Sequence, residues 1–128
     1  MTDSTSEFKS KGGIRRIFNA IGYSIEGFKA AWEHEHAFRQ ELLAVIIGTV
    51  VALGLPISSF QKVFLIAVML LVLIVELINS AIEAIVDRIS LEQHPLSKRA
   101  KDIGSAAVML AIMVAALAWA VVLFNRFW

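Results

Sequence analysis

Carboxylate, amide and hydroxyl side chains recur at regular spacing within an otherwise apolar stretch near the middle of the chain. The polar positions follow the first of them by three, four, seven and eleven residues, a spacing that predicts one shared face of an α-helix. They are Glu76, Asn79, Ser80, Glu83 and Asp87. A charge deep in a membrane helix costs about 2.5 to 3.5 kcal/mol on insertion scales, so such residues usually serve a function. Carboxylates placed there can accept a proton from a substrate or bind a cation.

Three interpretations of this polar face compete. In the first, Asn79 and Ser80 only form hydrogen bonds across a helix interface. That interpretation does not account for the two glutamates, because a carboxylate without a cationic partner is costly in a membrane. In the second, the face conducts protons or cations in a small transporter. In the third, it is a catalytic site that acts on a lipid.

The composition shows where this face must lie. Hydrophobic residues make up 58% of the 128 residues, above the roughly 45 to 50% of a soluble domain. This indicates one compact integral membrane unit. The absence of cysteine excludes disulfides and thiolate chemistry. The net charge of +1 argues against nucleic acid as a partner.

Three long apolar stretches predict three transmembrane helices. Each has roughly the 20 residues that cross about 30 Å of hydrocarbon. They cover about 42–60, 63–86 and 103–124. Residues 1–13 are polar and rich in Gly and Ser, which predicts a flexible N-terminus, and residues 14–128 are expected to form a single membrane domain.

A fourth helix is predicted before the first span, at about 14–36. Its apolar residues recur every three or four positions, from Ile14 to Trp32, with basic residues near its start. This pattern is typical of an amphipathic helix at the membrane surface. The alternative is a helix packed against the transmembrane helices.

The basic residues predict the orientation in the membrane. Of the 12 Lys and Arg residues, only Lys62 and Arg126 fall on the side that holds the turn between the first two spans. The positive-inside rule then places the N-terminus and the 88–102 loop in the cytoplasm, and the C-terminus outside.

The orientation also gives a depth to each carboxylate. Glu76 lies 14 residues after Lys62, or about 21 Å along a helix, in the cytoplasmic third of the bilayer. Glu83 lies about 10 Å further, near the water boundary. Carboxylates gathered there with Lys98, Arg99 and Lys101 suit a magnesium-bound nucleotide, although basic residues at this surface are also ordinary positive-inside charge.

Three segments of the chain closely resemble the prokaryotic integral-membrane diacylglycerol kinase family. They are AAWEHEHAFRQE (30–41), VELINSAIEAIVDRIS (75–90) and LSKRAKDIGSAAV (96–108). The string E-x-x-N-S-A-x-E-A-x-x-D-R, with S-x-R-A-K-D downstream, is highly specific. The resemblance implies an all-α membrane protein, a surface helix plus three spans in a homotrimeric bundle of the bacterial inner membrane. It also implies phosphorylation of diacylglycerol by ATP with Mg²⁺, giving phosphatidic acid.

The resemblance also implies roles for individual residues. Glu76 matches the general base, and Glu35 and Glu83 match the metal ligands. The other catalytic positions are Asn79, Lys101 and Asp102. The nucleotide-binding positions are Arg16, Tyr23, Glu35, Glu83, Asp87, Glu92, Gln93, His94, Lys101 and Asp102. The lipid-binding positions are Arg16, Trp32, Arg39, Gln40, Glu76 and Ser105, with the rest of residues 37–41.

Three points remain open at the level of sequence. Pro95 departs from the family pattern, in which a non-proline and often acidic residue is expected in the nucleotide loop. The residues do not distinguish diacylglycerol from another membrane alcohol such as undecaprenol, and a small cation-coupled transporter subunit is the alternative from a different class.

The small residues at 104–107 are expected to support close helix packing in an oligomer.

Overall fold

The computed structural model describes the backbone of residues 2–128 and the side chains of residues 12–128. Within the described residues the fold is all-α, as predicted. The helices are α1 (Thr2–His34), α2 (His36–Gly54), α3 (Ser59–Ile89) and α4 (Pro95–Phe127). They belong to two compact units, Met1–His34 and Glu35–Trp128, so α1 forms the first unit alone.

Helix α1 contains most of the predicted surface helix. It ends at His34, because Glu35 has extended backbone angles, with φ −113° and ψ 102°. Its side chains Ile14, Ile17 and Phe18 are exposed, and its location at a membrane surface stays a prediction. The predicted flexibility of residues 1–13 concerns mainly residues whose side chains lie outside the described part of the chain, and it also stays a prediction.

The other three helices are each long and apolar enough to cross a membrane, in agreement with the three predicted spans. The bounds of the first span differ from the prediction of 42–60. Helix α2 begins at His36 and ends at Gly54. Proline disfavours a helical conformation in the residue before it, and Leu55, which precedes Pro56, is extended with φ −71° and ψ 144°. Residues 55–60 therefore form the turn and the start of α3.

Side chains fix this turn at both ends. Ser58 caps α3, since its Oγ accepts a hydrogen bond from the Gln61 N–H at 3.1 Å and the Gln61 side chain accepts one from the Ser58 N–H at 3.0 Å. The Lys62 ammonium donates to the Leu53 carbonyl at 2.8 Å, and Arg126 Nε donates to the Pro56 carbonyl at 2.7 Å. The Leu53 carbonyl, which the end of α2 leaves unpaired, and the Pro56 carbonyl of the turn are thereby satisfied.

The reciprocal cap at Ser58 leads to a stability prediction. Replacing Ser58 by Ala removes the acceptor for the Gln61 N–H and should lower the free energy of unfolding by about 1 kcal/mol. Reversible denaturation in mixed micelles would measure this change. Ser59→Ala is the matched control, because Ser59 is already helical and caps nothing; equal losses in both variants would contradict the capping assignment.

Helix α3 packs against both α2 and α4. Its interface with α4 is built from small residues on α4 that face Val68 and Val72 of α3. The buried residues of α4 are Gly104, Ala111, Ala115, Ala118 and Val122. Of the small residues predicted at 104–107, Gly104 is buried within the chain, whereas residues 105–107 are exposed. Small residues let two helix backbones approach closely. The polar residues of α3 therefore lie close to those of α4.

Candidate active site

The polar face of α3 runs from the interior of the three-helix unit to its surface. Glu76, Asn79 and Ser80 are buried, with exposed fractions of 5%, 8% and 9%. Glu83 is half-buried, and Asp87 is exposed. The five residues share one helical face, as their spacing predicts. The face therefore connects a buried carboxylate to groups that water can reach.

Hydrogen bonds along the helix orient the two glutamates of this face. Ser80 Oγ donates to Glu76 Oε1 at 3.5 Å, and Asn79 Nδ2 donates to Glu83 Oε1 at 3.3 Å. Both pairs are four residues apart, a spacing at which helical side chains meet. Each glutamate is thus held by its own polar neighbour.

Two further carboxylates reach the same region from α2 and the residue before it. Glu35 precedes α2, and its side chain forms no capping hydrogen bond. The carboxylates of Glu83 and Glu35 both act electrostatically on Glu76, and the carboxylate of Glu76 acts electrostatically on Glu41. The Glu41 Oε2 atom is buried and has no hydrogen-bond partner among the described residues. The sequence places Glu41 just before the first span, at the membrane surface of Glu83 and in a lipid-contact segment, but it does not indicate this burial.

Beyond the end of α3 lies a cleft of about 600 Å³. The connection between α3 and α4 forms its wall, together with the last turn of α3 and the first two turns of α4. Six of the residues predicted to bind nucleotide line it. They are Asp87, Glu92, Gln93, His94, Lys101 and Asp102.

The two lysines that line the cleft are paired with carboxylates. Lys101 Nζ lies 2.7 Å from Asp87 Oδ1, which joins α4 to α3, and Lys98 Nζ lies 2.6 Å from Asp102 Oδ2. Lys101 lies before the charge-free part of α4. The hydrogen bond to Asp87 raises the pKa of its ammonium group. Lys101 therefore carries a full positive charge at neutral pH, and phosphate oxygens could replace its carboxylate partner.

The structure explains the proline that departs from the family pattern. Pro95 is at the first turn of α4, where its missing N–H removes no helical hydrogen bond. His94 caps this helix, because its Nδ1 accepts a hydrogen bond from the Leu96 N–H at 3.1 Å. Ser90 Oγ accepts another from the Glu92 N–H at 3.0 Å. The loop is thus ordered by its own side chains, and Pro95 fits it.

The remaining predicted residues are not gathered at this site by the described contacts. Arg16, Tyr23 and Trp32 are exposed on α1, and their roles stay predictions. Arg39 and Gln40 both contact the ring of His36, at 3.2 and 3.4 Å. Ser105 is exposed on α4.

The donor set fits a hard cation that arrives with a nucleotide. Among the described residues no three Asp, Glu or His side chains form a cluster that could hold a metal. Magnesium, however, is usually bound by one or two carboxylates together with substrate phosphates. Glu83 and Glu35, the carboxylates that the resemblance matches to metal ligands, both act electrostatically on Glu76, and their binding of Mg²⁺ stays a prediction.

Taken together, the fold and the site define a small helical membrane protein with a buried carboxylate face that opens into a polar, lysine-containing cleft. The family model described as prokaryotic diacylglycerol kinase matches residues 22–123. The chain belongs to this family.

Relatives named diacylglycerol kinase match nearly the full length. The Pseudomonas aeruginosa relative is 54% identical over 120 residues, which cover 94% of this chain and 98% of the relative. The Escherichia coli K12 relative is 52% identical over 115 residues, with 90% and 94% covered. The Haemophilus influenzae relative is 39% identical over 112 residues, with 88% and 95% covered.

Proposed function

We propose that this chain is an ATP-dependent lipid kinase that phosphorylates diacylglycerol to phosphatidic acid. Family membership supports the reaction class. The observation that carries the assignment of a site is the burial gradient along α3, from buried Glu76 to exposed Asp87. One end of this face suits a substrate that stays in the bilayer, and the other suits a substrate that arrives from water.

At the buried end, Glu76 is the proposed general base. A base must lie within hydrogen-bond reach of the proton that it accepts. In the reaction the lipid hydroxyl oxygen forms a bond to the γ-phosphorus of ATP, and the bond from that phosphorus to the bridging oxygen of ADP breaks. The hydroxyl proton passes to Glu76, which Ser80 orients.

At the exposed end, the cleft is the proposed site of the nucleotide. Phosphoryl transfer depends mainly on positioning and on neutralisation of charge. Lys101 supplies a cation at the wall that α3 and α4 share. Glu83 and Glu35 would hold Mg²⁺, which when bound neutralises phosphate charge.

The finer features predicted from the sequence belong to the same proposal. We place the protein in the bacterial inner membrane, with its N-terminus in the cytoplasm and its C-terminus outside, on the distribution of Lys and Arg. We also propose a homotrimer with shared sites. Residues 105–107 of α4 are small and exposed in the single chain, which suits contact with a second subunit.

The experiment that tests this function measures transfer of label to lipid. Purified protein in mixed micelles is given γ-labelled ATP, Mg²⁺ and either diacylglycerol or undecaprenol. We expect labelled phosphatidic acid, with much less label in undecaprenol. Label in neither lipid would overturn the kinase assignment, and preferential labelling of undecaprenol would replace the substrate.

A further inference from the structure

One glycine of α4 is in contact with the polar face of α3. Gly104 is buried, and a Cβ atom added to it would overlap Asn79 Oδ1 and lie 3.3 Å from Asn79 Cγ. All three atoms nearest to the added Cβ belong to the Asn79 side chain. The space that a side chain at position 104 would need is therefore filled by the Asn79 amide.

The two ends of this amide have different surroundings. Nδ2 donates to Glu83 Oε1 at 3.3 Å. Oδ1 is buried and has no hydrogen-bond partner among the described residues; it faces the backbone of Gly104, where Cα–H groups offer the weak contacts that recur at helix interfaces. Because a carboxylate accepts and only the NH₂ group of the amide donates, the bond to Glu83 fixes which end faces Gly104.

We propose that Gly104 is a positioning residue, whose missing side chain lets the Asn79 amide lie against α4 and hold the carboxylate of Glu83. This inference rests on the proposed function, in which Glu83 holds the metal-bound nucleotide. Gly104 itself contacts no substrate in this proposal and acts through Asn79.

Close packing of α3 and α4 does not by itself require glycine at this position. The other small residues that α4 buries are Ala111, Ala115 and Ala118, so the interface accommodates a Cβ atom at each of them. Glycine also lowers helix propensity relative to alanine. Its presence at 104 is therefore explained by the Asn79 amide and not by the approach of the helices.

The location of Glu83 gives this contact its consequence. Asn79 meets Gly104 about one helical turn before Glu83, and Asp87 meets Lys101 about one turn after it. Glu83 thus lies between two contacts that join α3 to α4. A change in the first contact should move the carboxylate without separating the helices.

The test replaces Gly104 by Ala and measures both substrates. The added methyl group should rotate the Asn79 amide away from Glu83, and we expect KM for Mg-ATP to rise about tenfold or more, the usual effect of losing a group that holds a metal ligand. KM for diacylglycerol should change by no more than about twofold, which corresponds to the small free-energy change of a substitution away from any special structural feature. A general loosening of the helices would instead change both constants.

Gly48→Ala is the matched control. It also adds one methyl group at a helix interface, where the new atom would overlap Met69 Sδ and lie 2.8 Å from Met69 Cε, both at the flexible end of that side chain. We expect it to leave both KM values within about twofold. A rise in KM for Mg-ATP equal to that of Gly104→Ala would overturn the proposal.

The double variant Asn79→Ala/Gly104→Ala decides the case even if Gly104→Ala does not fold. With the amide gone there is room for the methyl group, so Gly104→Ala should have no further effect in the Asn79→Ala background. The Kd of the double variant for Mg-ATP should then lie within about twofold of the Kd of Asn79→Ala, since smaller differences do not indicate an interaction. A double variant that is much weaker, or that fails to fold where Asn79→Ala folds, would overturn the proposal. Equilibrium binding of Mg-ATP measures this difference without requiring lipid phosphorylation. If the unmodified protein phosphorylated no lipid, only the proposed function would be overturned.

Discussion

Glu76→Gln is expected to lower the rate of lipid phosphorylation by about a thousandfold, within the range that a positioned general base contributes. Glutamine keeps the shape of the side chain and can still accept the hydrogen bond from Ser80, but it cannot take the hydroxyl proton. Because Glu76 lies at the buried end of the polar face, the affinity for Mg-ATP should change little. Single-turnover transfer of label and equilibrium nucleotide binding measure the two quantities separately.

Glu33→Gln is the control for this variant, since it makes the same chemical change at an exposed carboxylate of α1. It should retain the full rate. Retention of most of the rate by Glu76→Gln would show that another group accepts the proton. Glu41 would then be the first candidate, because the Glu76 carboxylate acts on it electrostatically and its buried Oε2 atom has no hydrogen-bond partner among the described residues.

The arrangement of the polar face could be predicted because it depends on one helix only. The period of the α-helix fixes which residues share a face, and the spacing from Glu76 to Asp87 needs no other element. The pair Lys98–Asp102, four residues apart, is local in the same sense. For such features the sequence contains all the geometric information.

The features that the sequence did not predict depend on how helices meet. The burial of the Glu41 carboxylate depends on the packing of α2, and the contact of Gly104 with Asn79 depends on the register between α3 and α4. The ion pair Lys101–Asp87 also joins two helices. No periodicity within a single helix carries these distances.

The end of α2 is a different case, because its signal was present in the sequence. Gly54 and Pro56 are typical of a helix end, and α2 ends at Gly54. The sequence marks the far end of the apolar stretch at these two residues, but the predicted span of 42–60 extends past them into the charge-free interval between Glu41 and Lys62. The helix instead begins at His36 and so includes charged residues in its first turns. A membrane helix can extend beyond the hydrocarbon, and in this protein that extension brings Glu41 towards Glu76.

Glu83→Gln should show the opposite kinetic profile from Glu76→Gln. Glutamine at 83 can still accept the hydrogen bond from Asn79 Nδ2, so the local packing is kept while the negative charge is lost. Loss of a group that only supports a metal ligand costs about 10- to 100-fold in metal affinity, and loss of the ligand charge itself should cost at least as much. We expect KM for Mg-ATP to rise by about 100-fold, with saturating nucleotide restoring part of the rate.

The comparison of these two variants tests whether the polar face of α3 has two functions. Titration with Mg²⁺ at fixed ATP should require more metal for Glu83→Gln and the usual amount for Glu76→Gln. Glu33→Gln should match the unmodified protein in both titrations. If both site variants lost the rate without any change in the requirement for metal or nucleotide, Glu83 would not be a ligand. The nucleotide would then be held by Lys101 and the loop residues of the cleft alone, and Glu83 would serve the lipid together with Glu76.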